Sequence, residues 1–145
     1  MESKGALDAR NARPKAKPRI LVADDEEPVL AFLEMKFSMA GFEVVTARDG
    51  REAWNKATQD PVDVVITDYR MPDIDGVELC TKLLLSPKTR DIPVLVITSP
   101  WCKIAGQLQQ VRNVVELVEK PLNVRDLVEK VRRLAGHAVT QGNAR

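Results

Sequence analysis

Histidine is nearly absent from this chain: one residue, His137, in 145. Metal centres and acid–base catalysis built on imidazole are thereby excluded, and His137 itself sits in a polar stretch with no residue to orient it, so it reads as solvated. Cysteine is scarce too. Cys80 and Cys102 have no metal-ligand spacing and make no disulfide framework, which fits a reducing, cytoplasmic compartment. Cys102 reads as a core or incidental residue rather than a reactive one. Aromatics make up only 4% of the residues. Charge of one sign is missing as well: 22 basic against 21 acidic residues leave +1, which excludes a strongly polycationic nucleic-acid binder. No apolar run approaches the ~18 residues of a membrane span, and the first residues lack the apolar core of a signal peptide.

What is present is regular. Residues 1–18 are rich in Lys, Arg, Ala and Pro without periodicity and predict a flexible basic tail; residues 136–145 predict a second tail or the start of a linker. Between them lies one domain, residues 19–135. Five runs rich in β-branched residues recur there: Ile20–Ala23, Glu43–Thr46, Val62–Thr67, Val94–Thr98 and Val114–Glu119. The third and fourth are almost continuously apolar, as strands buried on both faces are. Helical spacing fills the gaps. Val29, Phe32, Leu33, Phe37 and Ala40 predict one face of a first helix stopped by Gly41. Ala53, Trp54 and Ala57 mark a second helix, and Val77, Cys80, Leu83 and Leu84 a third. Ile104, Leu108 and Val111 mark a weaker fourth. Val124, Leu127, Val128, Val131 and Leu134 mark a fifth, with Asn123 as its N-cap.

Five βα units predict an α/β, doubly wound, flavodoxin-like parallel sheet in the order 2-1-3-4-5. Ligands in such sheets bind at the carboxyl ends of the strands, beside the switch point between strands 1 and 3. At those ends stand Asp24-Asp25-Glu26-Glu27, Asp68, Thr98-Ser99 and Lys120-Pro121. Three crowded carboxylates repel: a pair ~4 Å apart costs on the order of 4 kcal/mol at an effective dielectric of 20. Lys120 alone cannot offset them, whereas Mg²⁺, which takes a few carboxylates plus phosphate oxygens, can. An aspartate held beside a metal and a lysine is a nucleophile toward phosphorus; Thr98 adds a hydroxyl for one phosphoryl oxygen. Singly, each part is ordinary: acids at a helix start, a turn aspartate, a capping threonine, a surface lysine. It is their joint placement that predicts a phosphoryl-acceptor site.

With these motifs the chain resembles the receiver domain of bacterial response regulators in two-component signalling. The resemblance is carried by Ile20-Leu21-Val22-Ala23-Asp24-Asp25-Glu26 and by Val64–Asp68 running into Tyr69-Arg70-Met71-Pro72-Asp73-Ile74-Asp75-Gly76. Pro93–Thr98, Val118-Glu119-Lys120-Pro121 and the stretch Ala40–Gly50 complete it, so that it covers roughly residues 18–135. It implies that Asp68 accepts a phosphoryl group from the phosphohistidine of a sensor histidine kinase or phosphotransfer protein. It further implies that Asp24, Asp25, Asp68 and the backbone carbonyl of Arg70 hold Mg²⁺, that Lys120 contacts the phosphoryl group, and that Thr98 moves toward it. A downstream protein would read the switched face; neither nucleic acid nor membrane is implied for this domain. Leu117 departs from the pattern, standing where an aromatic is usual, and Arg112-Asn113-Val114-Val115 replaces a Gly-Ala-rich approach. The switch is therefore expected to involve Thr98, Ser99, Trp101 and a packed Leu117, with Pro100 stiffening the loop.

Other readings fit less well. A phosphohydrolase with an aspartate nucleophile needs a second aspartate two residues on, and position 70 is Arg. Asp73 and Asp75 have that spacing but lie in the following loop, where a helix cap is the better reading. A dinucleotide site fails because the first βα turn has no glycine. A receiver-like adaptor that signals without phosphorylation differs from the main reading in one observable, phosphotransfer to Asp68.

Overall fold

The computed structural model describes residues 17–99, 105–108 and 110–144. Their order is β1 (Arg19–Ala23), α1 (Glu27–Met39), β2 (Glu43–Ala47), α2 (Gly50–Gln59), β3 (Val64–Asp68), α3 (Gly76–Leu85), β4 (Val94–Thr98), α4 (Ala105–Leu108), β5 (Val114–Glu119) and α5 (Val124–Ala144). All strand pairs are parallel, in the order β2-β1-β3-β4-β5. This is the doubly wound, flavodoxin-like sheet that the alternation of patterns predicts.

Side chains alternate across the sheet, as a period of two requires. Ile20, Val22, Val64, Ile66, Leu95 and Ile97 face α1 and α5, where Leu33, Phe37, Leu127 and Val131 cover them. Leu21, Ala23, Val65, Val94 and Val96 face the other helices, under Ala53, Ala57, Leu79, Leu83 and Leu108. Phe37 also meets Phe42 edge to face, with ring centroids 5.5 Å apart.

Local chemistry sets the helix ends. Pro28 opens α1, where its missing N–H costs nothing, and Gly41 takes φ +99° just beyond the end. Asp49, Asp75 and Asn123 cap α2, α3 and α5, their side chains accepting from the backbone N–H of Glu52, Glu78 and Asp126. The capping reading holds for Asp75 and Asn123 but not for Asp73, whose carboxylate pairs with Arg51 instead.

Three further expectations need correction. Phe32 is 43% exposed, and Leu30 takes the buried position instead, because the α1 stripe is rotated toward Leu30, Leu33 and Phe37. β3 starts at Val64 rather than Val62: Asp63 accepts the Arg19 backbone N–H with its side chain at 2.8 Å, and Val62 is buried outside the ladder. Finally, α5 stays helical to Ala144, past the Leu134 at which the apolar spacing stops. No helix among the described residues is long and apolar enough to cross a membrane. Pro100, Trp101 and Cys102 lie outside the described residues, as does the side chain of His137.

Candidate functional site

Asp24 follows β1 directly, and its backbone N–H donates to the Ala47 carbonyl at 3.0 Å, which extends the β1–β2 ladder to the sheet's carboxyl edge. Its side chain is buried. Oδ1 accepts the Glu26 N–H at 2.9 Å, while Oδ2 is sealed from solvent with no hydrogen-bond partner among the described residues. Asp68 ends the central strand β3, also buried, and Tyr69 N–H donates to Ile97 O at 2.9 Å just beyond it. Asp25 is exposed at the start of the turn into α1. Each of the three aspartates places a carboxylate oxygen within 4.8 Å of the others.

Lys120 closes the site from β5. Its Nζ stands 3.4 Å from Asp68 Oδ1, and its backbone N–H donates to Thr98 O at 2.8 Å. Thr98 is buried at the end of β4, with half-buried Ser99 after it. The four strand ends that the sequence singles out are thus brought together. Leu117 is paired with Val96 across the β4–β5 ladder and packs on the α2–α4 side of the sheet, so it is a packed residue, as its aliphatic character predicts.

The electrostatics follow from this crowding. Burial, reinforced by the charge of Asp68, pushes the Asp24 carboxyl up to about 6, against the downward pull of the Glu26 N–H and of Lys120. Burial also raises Asp68, and the Lys120 ammonium opposes it. One ammonium faces three carboxylates, and one buried carboxylate oxygen has no donor. An all-oxygen donor set with a surplus of negative charge fits a hard divalent cation such as Mg²⁺. Asp24, Asp25 and Asp68 would hold it. Arg70 lies on the wall of an open depression shared by Asp25, Tyr69, Met71, Pro72 and Asp75.

Sequence reasoning missed how this wall is built. Gly76 N–H donates to Tyr69 O at 2.8 Å, and a Cβ on Gly76 would stand 2.9 Å from Asp68 O, so only glycine allows the approach. Met71 is buried beneath the loop, with its sulfur 3.8 Å from the Thr67 hydroxyl. The glycine after Asp75 was the available signal for the first of these. The second contact has no local signature.

Comparison with known proteins agrees with this fold. A family model described as "Response regulator receiver domain" matches residues 20–132. The transcriptional regulatory protein PrrA of Mycobacterium tuberculosis is 44% identical over 82 residues, covering 57% of this chain and 34% of PrrA. The probable transcriptional regulator ycf27 of Guillardia theta is 34% identical over 119 residues, 81% of this chain and 45% of ycf27. The chain thus spans about a third to a half of the length of these curated relatives. Among solved structures, chemotaxis protein CheY4 of Vibrio cholerae superposes with a TM-score of 0.75 at 28% identity, covering 82% of this chain and 99% of CheY4. A response regulator receiver domain protein of Clostridium thermocellum gives 0.73 at 26% identity, covering 88% and 98%.

Proposed function

The chain belongs to the response regulator receiver domain family of two-component signalling, and from that membership we propose that Asp68 is its phosphoryl acceptor, in a reaction that depends on Mg²⁺. The donor is a phosphohistidine on a sensor kinase or phosphotransfer protein, and the product state is read by a downstream protein. The single observation that carries the reading is the Asp68 carboxylate, buried at the end of the central strand and 3.4 Å from the Lys120 ammonium, in one acidic cluster with Asp24 and Asp25.

An Asp68 carboxylate oxygen attacks the phosphorus in line with the imidazole nitrogen. The new P–O bond forms as the P–N bond breaks, and the leaving imidazole takes a proton from solvent. Lys120 balances the negative charge of the group being transferred. The Thr98 hydroxyl donates to a phosphoryl oxygen once that oxygen is in place, and this draws the end of β4 inward. Thr98 O and Lys120 N–H are already bonded, so the two strand ends shift together. Ser99, Trp101 and Leu117 follow Thr98 as the switch. When bound, a divalent cation would supply charge neutralisation at the phosphoryl oxygens, and Asp24, Asp25, Asp68 and the Arg70 carbonyl would hold it.

Incubating the full chain with acetyl phosphate and Mg²⁺ tests this. Intact-mass analysis should show one added phosphoryl group, absent when a chelator is present from the start and absent in Asp68→Asn. The same mass on Asp68→Asn would move the acceptor elsewhere. No added mass from acetyl phosphate or from any phosphohistidine donor would leave the phosphorylation-independent adaptor.

A further inference from the structure

Arg51, in the first turn of α2, has no part in the acidic cluster, yet it makes the shortest ion pair among the described residues. Its Nε lies 2.6 Å from Asp73 Oδ2, and its Nη2 lies 3.3 Å from Oδ1. This two-pronged contact uses the planar fork that distinguishes arginine from lysine. The residue it grips is unusual. Asp73 has φ +71°, the one non-glycine among the described residues in the left-handed region.

The neighbours of Asp73 are held as firmly. Ile74 is buried, and its N–H donates to Pro72 O at 2.9 Å. Gly50, next to Arg51 in sequence, lies so close to Ile74 that a Cβ on it would come within 2.0 Å of the Ile74 carbonyl oxygen. Gly76 N–H closes the base of the loop on Tyr69 O. The segment 69–75 is therefore tied at its base, through Ile74 to Gly50, and through Asp73 to Arg51. Two of the three ties come from the first two residues of α2. Between the ties run Arg70, Met71 and Pro72, on the wall of the depression that Asp25 also lines.

We propose that Arg51 is a positioning residue for the Asp68 site: by gripping Asp73 it fixes the loop 69–75 and so sets where the Arg70 backbone carbonyl stands. The proposal rests on the reading of Asp24, Asp25 and Asp68 as a cation-assisted phosphoryl acceptor. Both partners are largely exposed, and exposed ion pairs contribute little to global stability. The pair acts on the population of one loop conformation, and its effect belongs in ligand affinity rather than in melting temperature.

The test uses the full chain as wild type, Arg51→Gln, Asp73→Asn, the double variant and Arg51→Lys. Mg²⁺ affinity is read by calorimetry, and amide hydrogen exchange at residues 70–74 is read in metal-free protein. Asp73→Asn keeps a residue type that tolerates positive φ and removes only the charge. Each single variant should weaken Mg²⁺ binding by about two- to five-fold, speed exchange in the loop, and leave Tm within roughly 3 °C. The double variant should be no worse than either single one, and Arg51→Lys should recover part of the loss. Unchanged Mg²⁺ affinity in Arg51→Gln, or losses that simply add in the double variant, would overturn the proposal. A wild type that binds no Mg²⁺ would remove the underlying reading of the site instead, a failure visible before any variant is compared.

Discussion

Replacing Asp24 by Asn should stabilise the metal-free protein at neutral pH, although it damages the site. Asp24 is 2% exposed, and burial together with the nearby Asp68 lifts its carboxyl from 3.8 to about 6. A group whose folded value lies above its unfolded value binds its proton more tightly in the fold. Its contribution to stability is complete below about pH 4 and is lost as pH rises through about 6. At about 1.4 kcal/mol per pKa unit, ionising Asp24 in the fold costs about 3 kcal/mol at neutral pH. Asn keeps the Oδ1 that accepts the Glu26 N–H. Its amide nitrogen replaces the partnerless Oδ2, in a side chain clustered with the Asp25 and Asp68 carboxylates. We expect a gain of about 1–3 kcal/mol in urea unfolding with chelator at pH 7, read also as a Tm rise of roughly 3–10 °C. The gain should fade at pH 4, where Asp24 is protonated in the wild type. Saturating Mg²⁺ should stabilise the wild type more than the variant, because the variant lacks a charged ligand. A metal-free Asp24→Asn protein no more stable than wild type at pH 7 would refute the claim that these carboxylates are crowded at a cost.

Gly50→Ala should lose about 2–3 kcal/mol in denaturant unfolding, because its Cβ would meet the backbone carbonyl of Ile74 at 2.0 Å and backbone yields poorly; a loss under 0.5 kcal/mol would mean the loop moves aside freely. In a Cys102→Ser background, Cys80 should resist thiol reagents at pH 8 until the protein unfolds, since burial pushes its thiol up to about 12. Rapid labelling of the native fold would contradict that burial. In a Trp54→Phe background, Trp101 fluorescence should change when a beryllofluoride mimic is added to the Mg²⁺-loaded protein. An unchanged spectrum with binding confirmed separately would remove Trp101 from the switch.

The strand order and the convergence of Asp24, Asp25, Asp68, Thr98 and Lys120 were legible because each depends on local pattern plus one general rule of parallel sheets. A β-branched run ending in a charged or hydroxyl residue announces itself within a few positions. Phe32 was misjudged for the opposite reason. On a helix with apolar residues at 29, 30, 32, 33, 35 and 37, spacing alone admits more than one buried face, and packing under the sheet selects Leu30 over Phe32. The Arg51–Asp73 grip and the approach of Gly50 to Ile74 join positions 22 and 24 residues apart. Neither partner carries a sequence signature of the other. Asp73 reads as an ordinary turn aspartate until its φ is known.

Among the described residues the sheet also separates two apolar clusters. One holds Leu33, Phe37 and Leu127; the other holds Leu79, Leu83 and Leu108. Substitutions without shared partners add, whereas those within one packed cluster do not. A change at Leu33 and another at Leu83 are therefore expected to add. Drift or selection can remodel the surface of one layer for a new partner without compensating changes in the other. The acidic edge, built from the strands that both layers share, stays in register throughout.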